Sequence, residues 1–143
     1  DKAPNFLCFD QNGATHTLAD YKGKKLVVFF YPKASTPGCT AEACDLRDNY
    51  NRFQANNYAL LGVSADSAKA QAKFIEKFDL PFPLLADEDK SVIQAFGVWG
   101  PKKFMGREYD GIHRTTFVID ESGIIEEVIS DVKTKAHAAQ ILK

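Results

Sequence analysis

From Lys25 the chain runs Leu26-Val27-Val28-Phe29-Phe30-Tyr31 without a polar interruption. A short run of apolar, β-branched and aromatic residues predicts a strand buried on both faces. Tyr58 to Ala65 and Thr115 to Asp120 carry the same pattern. Glu121-Ser122-Gly123 then reads as a turn into Ile124 to Ile129, which predicts a hairpin with the preceding strand. Helical spacing separates these strands. Ala43, Leu46, Tyr50 and Phe53 recur three and four residues apart, with Glu42, Asp45, Arg47, Asp48 and Arg52 on the other faces. Ser67 caps a second helix over Ala68 to Phe78, which stops before Pro81. Lys90 to Phe96 is a third, ending at Gly97, and the tail from Thr134 reads as a fourth. Helix alternating with strand, closed by a hairpin and a helix, predicts an α/β sandwich around a mixed central sheet.

The glycines and prolines are scattered as punctuation and no repeat or linker breaks the pattern, so the 143 residues read as one domain, 1–143. A formal charge of −1 gives no electrostatic footprint for nucleic acid or for an anionic membrane surface. The run from Leu26 to Tyr31 is far too short to cross a bilayer. The opening Asp1-Lys2-Ala3-Pro4 shows no apolar leader. The expected setting is therefore the cytoplasm, with a start residue or short leader missing before Asp1. Three cysteines are too few for a secreted disulfide scaffold and point to reduced thiols. Neither a Cys-x2–4-Cys nor a His-x3–5-His pair is present, so no structural zinc site is expected.

Chemistry concentrates where the buried strand ends, in Tyr31-Pro32-Lys33-Ala34-Ser35-Thr36-Pro37-Gly38-Cys39-Thr40-Ala41-Glu42-Ala43-Cys44. Ligands of open α/β sheets bind at the carboxyl ends of strands. Cys39 falls in the first turn of the following helix, where free N–H groups and the positive end of the helix dipole favour a thiolate. Pro37 and Gly38 keep the chain tight and leave no side chain over the sulfur. A free cysteine is more often a small buried hydrophobe. Its place after Thr-Pro-Gly at a strand-to-helix junction argues against that reading.

The pattern Pro32-x3-Thr36-x2-Cys39 resembles the active-site motif of peroxiredoxins, thiol peroxidases on a thioredoxin-like fold. The resemblance extends from Ala3-Pro4-Asn5-Phe6 to the segment Gly97–Asp120, and is greatest to the bacterioferritin comigratory protein or peroxiredoxin Q subfamily. Ala34-Ser35 departs from it, since many relatives carry an acidic residue there. The resemblance implies a thioredoxin-like α/β fold with a mixed central sheet flanked by helices and an N-terminal β extension. It implies that Cys39 is the peroxidatic cysteine, with Pro32, Thr36 and Arg114 completing its site and Glu42 orienting the arginine. Arg114 read alone would be an ordinary charge at a strand start, Thr36 a turn residue, and Glu42 an acidic residue favoured by the helix dipole.

The expected chemistry needs these residue types. A thiolate attacking a peroxide is served by a fixed cation, and a guanidinium can hold both the sulfur and the departing oxygen. The Thr36 hydroxyl can orient the peroxide, and Pro32 can shield the sulfur from water. Cys44 could be a buried helix residue beside Ala43. In the subfamily it resembles, a cysteine at this spacing is the resolving thiol that condenses with the sulfenic acid of Cys39. The expected substrates are hydrogen peroxide and organic hydroperoxides, with thioredoxin or a similar dithiol as reductant. No cofactor or metal is expected, and the subfamily implies a monomer. Cys8 reads as packing, and His16, His113 and His137 show no base-to-nucleophile arrangement. A disulfide oxidoreductase is disfavoured, because Cys44 lies too far along for a Cys-x-x-Cys site. A redox-switched binding module is the remaining alternative.

Overall fold

The computed structural model describes residues 2–104 and 106–142. Its elements are β1 (Leu7–Phe9), β2 (Thr15–Thr17), β3 (Lys25–Phe30), α1 (Pro37–Asp48), α2 (Tyr50–Ala55), β4 (Tyr58–Ser64), α3 (Ala68–Phe78), β5 (Leu84–Ala86), α4 (Ser91–Ala95), β6 (Trp99–Phe104), β7 (Arg107–Ile112), β8 (Thr115–Ile119), β9 (Ile125–Ile129) and α5 (His137–Ile141). Five strands form the central sheet in the order β5-β4-β3-β8-β9. β3 pairs in parallel with β4, and β4 with β5, while β8 runs antiparallel to both β3 and β9. The expected mixed sheet flanked by helices is present, and β1 and β2 form the N-terminal β extension.

β3 lies at the centre because both of its faces are apolar. Val27, Phe29 and Tyr31 face one core cluster with Cys39, Ala43 and Leu46 of α1, Phe53, Phe74, and Ala138 and Ile141 of α5. Leu26, Val28 and Phe30 face the other, with Phe6, Cys8, Val92, Ile93, Phe96 and Phe117. Gly62 of β4 fits tightly between rows on the first face. A Cβ there would lie 2.5 Å from Leu84 Cδ2 and 2.8 Å from Phe29 Cζ.

Three local outcomes differ from the pattern reading. The expected helix through Ala43 and Phe53 is split at Asn49, whose side-chain Nδ2 donates to the Asp45 carbonyl at 2.9 Å. That is the carbonyl its own backbone N–H would otherwise use, and the N–H bonds instead to Leu46 O. The tail helix starts at His137 rather than Thr134, after a turn in which Ala136 N–H donates to Lys133 O. The β6–β7 hairpin was not expected at all. Its sequence mixes Gly100, Pro101 and five charged residues with few apolar positions, so no period of two stands out. The Ser67 cap is as expected, its hydroxyl accepting from Ala70 N–H. Among the described residues no helix is long and apolar enough to cross a membrane.

Candidate active site

The loop that leaves β3 is fastened at several points. Tyr31 N–H donates to Val63 O at 3.1 Å, continuing the ladder with β4 by one residue. Ala34 N–H donates to Asp66 Oδ2 at 2.8 Å, and the same oxygen accepts from Ser64 Oγ at 2.6 Å. Ser64 Oγ in turn accepts from the buried Gln71 amide, whose Oε1 accepts from the Tyr31 hydroxyl at 2.5 Å. A polar chain thus runs from the core to the loop. The residue after Ala34, Ser35, has φ +64°, a left-handed conformation uncommon for a side chain larger than glycine. Thr36 follows as the N-cap of α1, with extended backbone and Pro37 in the first helical position. Its hydroxyl donates to Lys33 O at 2.8 Å, which ties the loop to itself.

Cys39 lies in the first turn of α1 and is 2% exposed. Arg114, between β7 and β8, reaches it across the sheet end: Nη2 donates to Cys39 Sγ at 3.1 Å. Its other arm, Nη1, donates to Glu42 Oε1 at 2.6 Å. One guanidinium therefore bridges a sulfur and a carboxyl, as its planar fork allows. Glu42 is fully buried one helical turn beyond Cys39, and burial pushes its carboxyl up to about 7 against the opposing pull of Arg114. Burial acts to lower the Arg114 value, but Cys39 and Glu42 outweigh it, so the guanidinium is held above its ordinary value. Lys102 of β6 donates to Ile112 O at 2.8 Å, and burial and Arg114 hold its ammonium below the ordinary value.

The structure thus brings Cys39, Arg114 and Glu42 into direct contact. Thr36 and half-buried Pro32 lie on the loop that leads to the sulfur, and Cys44 is a half-buried residue further along α1. Cys39, Cys44 and Cys8 are all free thiols. Cys8 is packed into the second core cluster, where burial and the Asp87 charge push its thiol up to about 12. His16 bonds Asp10 and Tyr21 on the N-terminal hairpin, and His113 is exposed. His137 is the residue the sequence reading missed. It is fully buried, with Nε2 3.5 Å from Glu42 Oε2. The only hint was a lone histidine opening an apolar tail, which does not announce a partner 95 residues earlier.

Residues 1–128 match the family model of the AhpC/TSA family. The chain is 49% identical over 142 residues to peroxiredoxin Bcp of Escherichia coli K12, covering 99% of this chain and 91% of that one. It is 46% identical to peroxiredoxin Bcp of Bacillus subtilis 168, covering 99% and 90%. The solved bacterioferritin comigratory protein of Xanthomonas campestris superposes with a TM-score of 0.90 at 35% identity, covering 96% of this chain and 87% of that one. The chain belongs to the AhpC/TSA family. Within it, the similarity is to the Bcp and peroxiredoxin Q enzymes, so the chain is a peroxiredoxin with the thioredoxin-like fold that its sequence implied.

Proposed function

We propose that this peroxiredoxin reduces hydrogen peroxide and organic hydroperoxides through Cys39, with Cys44 as the resolving thiol and thioredoxin or a similar dithiol as reductant. The observation that carries the reading is the 3.1 Å contact between Arg114 Nη2 and Cys39 Sγ at the start of α1. The Xanthomonas campestris relative is described by its alkyl peroxide reduction activity, which favours the same substrate class here.

The Cys39 thiolate attacks the terminal oxygen of ROOH and the O–O bond breaks. Cys39 becomes a sulfenic acid, and RO⁻ leaves with both electrons of the broken bond and takes a proton from solvent to give ROH. Arg114 steadies the thiolate before attack and the departing oxyanion during it. The first N–H groups of α1, lacking intrahelical partners, add donors on the same side. Thr36 orients the peroxide and Pro32 limits water at the sulfur. Glu42 fixes the guanidinium from the far side, so that its second arm points at the sulfur. The Cys44 thiol then condenses with the sulfenic acid, releasing water and forming the Cys39–Cys44 disulfide. A dithiol reduces that bond by exchange and leaves as its own disulfide.

Residues 1–143 act as one domain, since both core clusters share the strands of the central sheet. Peroxide consumption coupled to a thioredoxin system tests the reading. Wild type is expected to turn over and Cys39→Ser to be inactive while still folded. Near-wild-type turnover by Cys39→Ser overturns the assignment. Mass spectrometry after one equivalent of peroxide is expected to show Cys39 linked to Cys44 and Cys8 free.

A further inference from the structure

Behind Arg114 lies a buried polar cluster that attack on a peroxide does not itself require. Glu42 and His137 are both 0% exposed. Glu42 gives Oε1 to Arg114, while its Oε2 has no hydrogen-bond partner and faces His137 Nε2 at 3.5 Å. A buried carboxyl oxygen with no donor is costly, and closing the gap by about half an ångström would make an ordinary hydrogen bond.

The hydrogen bonds of the ring say which nitrogen carries a proton. Gln140 Nε2 donates to Asp131 O at 2.8 Å, which turns Gln140 Oε1 toward His137 Nδ1 at 2.7 Å. Lys133 N–H donates to the same Oε1 at 3.0 Å. Facing an acceptor, Nδ1 carries a hydrogen, and the neutral ring then has a lone pair at Nε2. That lone pair lies 2.7 Å from the Thr116 hydroxyl and on the side of Glu42 Oε2. The Thr116 hydroxyl donates to that lone pair, so Glu42 Oε2 is the acceptor left without a donor, and a proton on it would share the lone pair with the hydroxyl and end the facing of two acceptors.

We propose that His137 is a positioning residue, keeping one proton between its Nε2 and Glu42 Oε2 in the reduced protein. Glu42 then meets Arg114 as a neutral acceptor through Oε1. The proposal rests on the reading of Cys39 as the peroxidatic thiol with Arg114 as its cation. With the proton on the far oxygen, Oε1 still accepts from Nη1, so the fork keeps its geometry. The guanidinium charge is then left to the sulfur and the departing oxyanion instead of being shared with a carboxylate. Burial, which raises Glu42 and lowers His137, places the proton on the carboxyl rather than on the ring. The charged groups around the pair act in both senses. Asp45 of α1 favours a charged ring, whereas Arg114 opposes it and favours an ionised Glu42. Beyond the pair, Cys39 and Glu42 hold the Arg114 guanidinium up against burial, and burial and Arg114 in turn hold the Lys102 ammonium down. α5 is held in place independently, because Ala138 N–H donates to Asp45 Oδ2 at 2.7 Å.

The test begins on reduced wild-type protein without peroxide. Infrared difference spectra between about pH 6 and pH 8.5, wild type against Glu42→Gln, are expected to show a protonated carboxyl that is lost on raising pH and is absent in the variant. Nitrogen NMR of labelled histidine is expected to show His137 neutral at about pH 7 and protonated at Nδ1. No carboxyl band in that range, or an imidazolium at His137, overturns the proposal. His137→Phe is expected to shift the midpoint of the band by at least about half a pH unit, and an unmoved midpoint removes His137 from the role. In single-turnover oxidation, the rate ratio of Glu42→Gln to wild type is expected to rise at least about threefold over the same pH range. A flat ratio also overturns the proposal. The spectra do not depend on peroxide chemistry, so they stand or fall separately from the assignment of Cys39.

Discussion

Arg114 occupies the space that a side chain on Gly38 would need. A Cβ built at Gly38 would sit 3.3 Å from Nη2, the atom that donates to Cys39 Sγ. The glycine is in helical conformation within α1, so its requirement comes from this close approach and not from backbone freedom.

Gly38→Ala is therefore expected to move the guanidinium by a few tenths of an ångström and to slow oxidation of Cys39 by roughly tenfold, as small misplacements of catalytic groups do. Alanine is the better helix former by about 1 kcal/mol, so thermal stability should hold or rise. Stopped-flow oxidation alongside a melting curve separates the two effects. An unchanged rate would mean that the fork tolerates the methyl group.

Arg114→Ala is expected to lower the rate of sulfenic acid formation by about 10²- to 10³-fold, the usual cost of losing a donor aimed at developing charge. Arg114→Lys should recover only part of it, since an ammonium cannot bridge the sulfur and Glu42 in one plane. Single-turnover rates for the two variants decide this. Equal rates for Arg114→Lys and wild type would show that charge alone suffices.

Cys44→Ser is expected to react once with peroxide and then stop. A dimedone-type probe should capture the sulfenic acid on Cys39, and excess peroxide should drive it to the sulfinic acid. Sustained thioredoxin-dependent turnover by this variant would return Cys44 to a packing role.

The pH dependence of folding carries a further expectation, set by Glu42. Its folded value, pushed up to about 7, lies above that of a solvated glutamate. The folded state thus prefers the protonated group, and the associated stability is complete at low pH and lost as pH rises from about 4.5 to about 7. A displacement of that size is worth about 3 kcal/mol. Glu42→Gln cannot ionise, so its stability relative to wild type is expected to grow across that window and level off above it. Denaturant melts at several pH values measure the difference. A constant difference would mean that Glu42 takes up protons alike in the folded and unfolded states.

The sequence made some of these features legible and hid others for physical reasons. β3 stood out because both of its faces are buried, leaving no polar residue to blur the run from Leu26 to Phe30. Cys39 was readable because strand end, turn residues and helix start are contiguous. Arg114 and Glu42 lie 72 residues apart, and only the resemblance to a known motif joined them. Nothing comparable pointed to His137, whose link to Glu42 arises from the packing of α5 on α1. Asn49 shows the limit of periodicity: Ala43, Leu46 and Phe53 keep helical spacing across a break made by one side-chain hydrogen bond. The β6–β7 hairpin stayed hidden because its strands lack the buried alternating face that periodicity detects.

The last expectation concerns α1 itself. Residues five apart on a helix point about 140° away from one another and have Cα atoms roughly 8–9 Å apart. A disulfide requires Cα atoms closer than about 7 Å and side chains that converge. In the reduced protein both cysteines lie on the continuous helix Pro37–Asp48, so the bond cannot form until part of that helix opens. The segment to be opened also carries Glu42 and Asp45, which meet His137 and the Ala138 N–H of α5. Unwinding from Cys39 through Asp45 therefore removes both of these contacts with α5, and the two helices should loosen together. Opening of a helix end is far less costly than global unfolding, so the core around β3 can stay intact. Hydrogen exchange is expected to rise on oxidation across Thr40 to Asp45 and across His137 to Ile141, with β3 and β4 unchanged. An oxidised structure with α1 still helical through a Cys39–Cys44 bond would refute the unwinding. Exchange that rises in α1 while α5 stays protected would refute the coupling between them.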